Sequence, residues 1–156
     1  MEPSQFVSPL DWAGIGIAVL CGALVGFERQ IRGKPAGMRT SILICLGTQV
    51  FVSLGASLVG PAGDPARVLG QVVTGIGFLG AGVILIREGV VTGVTSASVI
   101  WILAAIGGTI GLGHYVSAVV LALLTVAVLH GIELLEGSFR RLRAGVHARN
   151  GNRNEE

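Results

Sequence analysis

Charge is what this sequence has least of. Of its 156 residues only 13% are Asp, Glu, Lys or Arg, about half the share of an ordinary soluble domain. Thr40 to Gly63, Val68 to Ile86 and Val90 to Ile132 carry no charged residue at all. A water-soluble fold is thereby excluded, because uncharged apolar runs of about 18 residues or more are tolerated in hydrocarbon and not in water. Cysteine is equally sparse: Cys21 and Cys45 both fall inside apolar runs, which excludes a disulfide framework and leaves two small buried thiols. Met1 to Leu10 holds no basic residue, so a cleavable signal peptide is not expected and the first apolar run is read as retained. There is no phosphate loop, no C-x-x-C and no H-E-x-x-H, and Glu28 and Asp64 are expected at opposite membrane faces. Neither an enzyme nor a cofactor is expected, and a net charge of +2 gives no reason to expect nucleic acid.

What remains is a chain made for lipid. Five apolar segments stand out: Leu10 to Phe27, Met38 to Leu58, Val68 to Ile86, Val94 to Ile110 and Tyr115 to Leu135. At about 1.5 Å per residue each is close to a hydrocarbon core of about 30 Å. The runs are continuous, without the apolar–polar alternation of barrel strands, and backbone groups in lipid must be satisfied internally. The expectation is an all-α polytopic membrane bundle of about five transmembrane helices over 1–136, followed by a short basic tail over 137–156.

With the N-terminus outside and the C-terminus inside, Arg29, Arg32, Lys34, Arg39, Arg87, Arg140, Arg141, Arg143, Arg149 and Arg153 lie on the cytoplasmic side, and only Arg67 lies outside. Trp12 and Tyr115 then fall near the outer interface. The tail is expected along anionic headgroups.

Glycine is abundant, at 25 residues. In the first span Gly14, Ala18, Gly22 and Gly26 recur every fourth residue on one face, the spacing by which helices approach closely in lipid. The third span carries Gly75, Gly77, Gly80 and Gly82, which permits two readings, tight packing or a bent and locally unwound helix. The polar residues that lipid tolerates poorly are Glu28 and Arg29 at the end of the first span, Arg39 at the start of the second, Gln49 within it, and Asp64, Arg67 and Gln71 at the third. Asp64 followed by Pro65 also reads as a helix start. His130 and Glu133 share a helical face, but a lone pair without a second ligand set is expected to sit at the interface. Whether a metal binds stays open.

These residues carry a resemblance. Gly26-Phe-Glu-Arg-Gln30, Lys34-Pro-Ala-Gly-Met-Arg-Thr40, Asp64-Pro-Ala-Arg67, Gln71 to Val83 with its glycines, and Val94-Thr-Ser-Ala-Ser98 with Trp101 and Ala104 to Gly107 closely resemble the membrane domain of the MgtC/SapB family. The resemblance covers about Leu10 to Leu135 and implies a bacterial inner-membrane protein of about five spans, linked to magnesium limitation and stress adaptation. It makes Glu28, Arg29, Arg39, Asp64, Arg67 and Gln71 the functional candidates. The virulence members continue into a cytoplasmic domain, so this chain is read as the short, SapB-like form. Two functions follow: a regulatory protein acting on a membrane-protein partner through glycine-rich faces, or a homo-oligomeric channel or carrier for a divalent or monovalent cation.

Overall fold

The computed structural model describes residues 11–58, 64–87 and 89–131. Five helices and one two-stranded ribbon account for most of them: α1 Trp12–Ile31, α2 Met38–Leu58, α3 Pro65–Ala81, β1 Leu85–Arg87, β2 Val90–Thr92, α4 Val94–Gly111 and α5 Tyr115–Gly131. Of these, α1, α2 and α4 are long and apolar enough to cross a membrane, while α3 and α5 are shorter apolar helices. The chain divides into two compact units, Met1–Thr125 and Val126–Glu156. The described part of the second is the last stretch of α5; Ile132 to Leu135, Glu133 among them, and the basic tail lie outside the described residues.

Each helix begins and ends for a local reason. Asp11 caps α1, its carboxylate accepting from the Ala13 amide at 3.2 Å, which offsets one of the orphan donors of a helix start. The helix runs past Phe27 through Glu28 and Arg29 to Ile31, four residues beyond the apolar run. There Glu28 and Arg32, one turn apart, form an ion pair at 2.5 Å. Asp64 caps α3 through the Ala66 amide at 2.9 Å, with Pro65 opening the helix.

The third apolar run folds differently from one span. The helix is unbroken from Pro65 to Ala81 and stops at Gly82, so it is not locally unwound within that span. Leu85, Ile86 and Arg87 then pair antiparallel with Thr92, Val91 and Val90. Apolar β-formers on both sides of a turn, with Gly89 at φ +81°, favour a hairpin over a further turn of helix. Gly93 closes this excursion at φ +89°, and a Cβ there would lie 2.0 Å from the Val83 carbonyl oxygen. Only glycine fits on both counts.

In the first unit α1, α2 and α4 meet around a core of Ala18, Cys21, Val25, Ile44, Cys45, Val52, Val99, Leu103, Ile106 and Ile110. Antiparallel α1 and α2 touch backbone to backbone: a Cβ on Gly22 would fall 2.6 Å from Ile42 Cα, and one on Gly26 2.6 Å from Met38 Cα. Parallel α2 and α4 do the same, since a Cβ on Gly107 would lie 2.5 Å from the Cys45 carbonyl oxygen. Where lipid supplies no hydrophobic drive, such approach gives helices their dispersion contacts. Cys45 adds a bond of its thiol to the Leu103 carbonyl at 3.3 Å. By contrast, Ile76 is the only α3 side chain in the buried hydrophobic core among the described residues.

Candidate functional site

The polar side chains gather at the two ends of the α1–α2–α4 junction. At the end holding the C-terminus of α1, Glu28 and Arg29 are both buried. Arg29 reaches across to α4 and donates from Nη2 to Ser96 Oγ at 2.7 Å. Among the described residues its Nε has no acceptor, and neither Glu28 oxygen accepts a well-aligned hydrogen bond, leaving the contact with Arg32 a charge pairing more than a directed bond. Arg29 sits in the last turn of α1, where a cation complements the helix dipole. Beneath it, Ser41, fully buried, donates to the Ala36 carbonyl at 3.2 Å, and Gln30 Oε1 accepts from the Met38 amide at 3.3 Å. The turn between α1 and α2 is thus held by side chains from both helices.

At the opposite end a second cluster forms. Gln49, 1% exposed, donates from Nε2 to Ser53 Oγ at 3.2 Å, and the Ser53 hydroxyl in turn donates to the Gly111 carbonyl at 3.2 Å. This chain of donors fixes the amide orientation and leaves Gln49 Oε1 buried without a donor. Nearby, the Tyr115 hydroxyl at the start of α5 donates to Asp11 Oδ2. That bond holds the Asp11 carboxyl below its ordinary value; partial burial opposes it, and the Gly14 and Ala13 amides lower it further.

The other predicted residues lie on the surface. Arg39, Asp64 and Arg67 are exposed, with Asp64 spent on capping α3. Gln71 is also exposed and lies on the wall of a groove of about 830 Å³ between α2 and α3. Glu28 and Arg29 therefore come together, while Arg39, Asp64, Arg67 and Gln71 do not join them. Gly14, Ala18, Gly22 and Gly26 are all buried in α1. In α3, Gly80 sits under Ala97, whereas Gly75 and Gly77 face open space and Gly82 only its own preceding turn.

Sequence reasoning missed Ser41, Ser53 and Ser96, the partners that complete both clusters. A small hydroxyl in an apolar run signals a hydrogen bond without disclosing its target, which for Arg29 and Ser96 lies 67 positions away. Asp11 was missed as well, although an Asp directly before an apolar helical run is a capping signal that could have found it. Among the described residues no three His, Cys, Asp or Glu side chains gather as a metal site.

Comparison with known proteins gives the frame for this architecture. The MgtC family model matches residues 15–138. The chain is 42% identical over 137 residues to a protein of Escherichia coli K12 named putative magnesium transporter YhiD, covering 83% of this chain and 62% of that protein. It is 45% identical over 112 residues to protein MgtC of Brucella abortus, covering 71% of this chain and 46% of the relative. With protein MgtC of Salmonella typhimurium it shares 46% identity over 102 residues, 65% of this chain and 43% of the relative. The chain thus spans about half the length of the curated relatives it matches. No solved structure matches. With apolar helices of membrane-spanning length and a family match across nearly all of them, this chain is a membrane protein and belongs to the MgtC family.

Proposed function

We propose that the chain is a multi-pass protein of the bacterial inner membrane that regulates a membrane-protein partner under magnesium limitation or stress, with the N-terminus outside. The observation that carries this reading is the bare face of α3. Gly70 and Gly77, two helical turns apart, have nothing among the described residues within 4 Å of where a Cβ would be. Thr74 lies between them, and the neighbouring Phe78 is 83% exposed. A glycine face pointing away from its own bundle is a surface on which another helix can settle closely. The name of the E. coli relative and the family connection to magnesium support the physiological setting.

The test is purification in mild detergent of the wild type and of Gly77→Leu, followed by mass spectrometry. The expected result is one membrane protein recovered with the wild type and lost from the variant. Recovery of the chain with nothing but itself, in several detergents and under magnesium starvation, overturns the reading.

A second reading is transport of a cation, as the name of the E. coli relative says of that protein. The buried oxygens of Glu28 and Gln49, which accept no well-aligned hydrogen bond, favour it, since oxygen ligands suit Mg²⁺. Weighing against it, Arg29 and Arg32 stand beside Glu28. Flux of Mg²⁺ into proteoliposomes, reduced by Gln49→Leu, is its expected signature; flat traces for Mg²⁺, K⁺, Na⁺ and H⁺ remove it.

A further inference from the structure

The groove between α2 and α3 is distinct from the bare α3 face, and it has the dimensions and the charge of a lipid site. On the α2 wall it runs from Thr40 to Phe51, and on the antiparallel α3 wall from Leu79 to Val68. Each wall is about twelve residues of helix, about 16 Å of rise from end to end, which is the depth of one leaflet in a hydrocarbon core of about 30 Å. Between those limits its lining is apolar apart from Thr48 and Gln71.

Two glycines keep it open. Gly47 on α2 and Gly75 on α3 both line the groove, and neither has an atom within 4 Å of where its Cβ would stand. Packing between α2 and α3 therefore does not require these glycines, in contrast to Gly22, Gly26 and Gly107. What their absence of side chain provides is volume.

The end of the groove at Ala36 and Thr40 is polar and positive. Ala36 and Thr40 line it, and Lys34 and Arg39, flanking them in sequence, are both exposed. The same place is the N-terminus of α2, where the helix dipole favours negative charge. Among the described residues the acidic side chain at that end, Glu28, is buried and paired with Arg32.

The geometry points to a binding site for one anionic phospholipid, its acyl chain seated between α2 and α3 and its phosphate held by Arg39, Lys34 and the Thr40 hydroxyl. Leaflet-deep length, apolar walls held apart by Gly47 and Gly75, and basic side chains at one mouth belong together only for a lipid with a negative headgroup.

Native mass spectrometry of the full chain, incubated with equimolar phosphatidylglycerol and phosphatidylcholine, tests this. The wild type is expected to retain one phosphatidylglycerol in preference to phosphatidylcholine. Arg39→Gln, a change at an exposed position, is expected to weaken that retention about five-fold, the effect of one basic group at a membrane surface. Gly47→Leu, which fills the groove, should abolish it, while Gly47→Ala retains it and Gly75→Leu repeats the loss from the facing wall. Equal retention of the two lipids overturns the proposal, as does unchanged selectivity in Arg39→Gln together with either leucine variant. A second copy of the chain occupying the groove, seen as a dimer that excludes bound lipid, overturns it too. The site does not depend on the partner reading: loss of a co-purified protein in Gly77→Leu leaves lipid retention intact.

Discussion

Two regions of this chain use glycine for opposite ends. In the α1–α2–α4 junction the glycines stand where another backbone passes, and a Cβ at Gly22, Gly26 or Gly107 would lie 2.5–2.6 Å from a backbone atom of the facing helix. In α3 the glycines at 70, 75 and 77 look onto open space. Identical residues at similar spacing thus record contact already made in one region and surface left bare in the other. Spacing by itself distinguishes neither; the distance from each missing Cβ to its surroundings does.

The sharpest way to break this contrast is to add side chains to both regions. Gly22→Leu is expected to destabilise by about 3 kcal/mol or more, because the atoms standing opposite are the Ser41 and Ile42 backbone and no flexible side chain that could give way. Thermal unfolding in detergent, followed by circular dichroism, measures it; a midpoint within one degree of wild type would mean that α1 and α2 are not apposed as described.

Next in size is the polar clasp at the Arg29 end. Ser96→Ala removes the acceptor of a buried guanidinium and is expected to cost about 2 kcal/mol, the range for hydrogen bonds to charged groups. The same unfolding measurement reads it, and Ser96→Thr, which keeps the hydroxyl, should recover part of the loss.

The opposite end is expected to be weaker and dependent on pH. Asp11→Ala removes a helix cap and the Tyr115 partner, for about 1 kcal/mol. Because the folded-state value of Asp11 is lowered, its contribution is complete above the ordinary carboxyl value of about 3.9 and disappears as pH falls through the lower, folded-state value. Tyr115→Phe should move that loss upward toward the ordinary value. Identical acid profiles for wild type and Tyr115→Phe in the range pH 2–5 would show that the hydroxyl does not set it.

The smallest effect belongs to the bare helix. Gly70→Leu is expected to change stability by less than about 0.5 kcal/mol, as surface substitutions do, or to raise it slightly through helix propensity. A large loss there would erase the distinction between the two regions.

Much of this was readable from residues alone. The helical membrane class followed from charge-free runs, and the α3 start followed from Asp64-Pro65, because both signals are local. The small-residue stripe of α1 could be seen as a face, though not which helix lay against it. The hairpin at 85–92 escaped because Leu85, Ile86, Val90 and Val91 are as apolar as a helix in lipid requires, and hydropathy carries no backbone geometry. Among the candidates, Glu28 and Arg29 were read together at the end of the first span, and both are buried there. Asp64 and Arg67 were already expected at the face opposite Glu28; that Arg29 turns inward to Ser96 while Arg39 stays exposed depends on how the helices pack, which sequence spacing within one helix does not encode.

The hairpin also has a consequence for the bilayer. By taking Leu85–Arg87 and Val90–Thr92 out of the helix, it leaves α3 with 17 residues, about 25 Å of length against about 30 Å of hydrocarbon. In a five-span arrangement the lipids around α3 must dip inward to meet its ends, or their headgroups must be drawn down toward the ribbon. Such a dimple makes the protein sensitive to the thickness of its host membrane, so that acyl-chain length becomes a variable to which it responds.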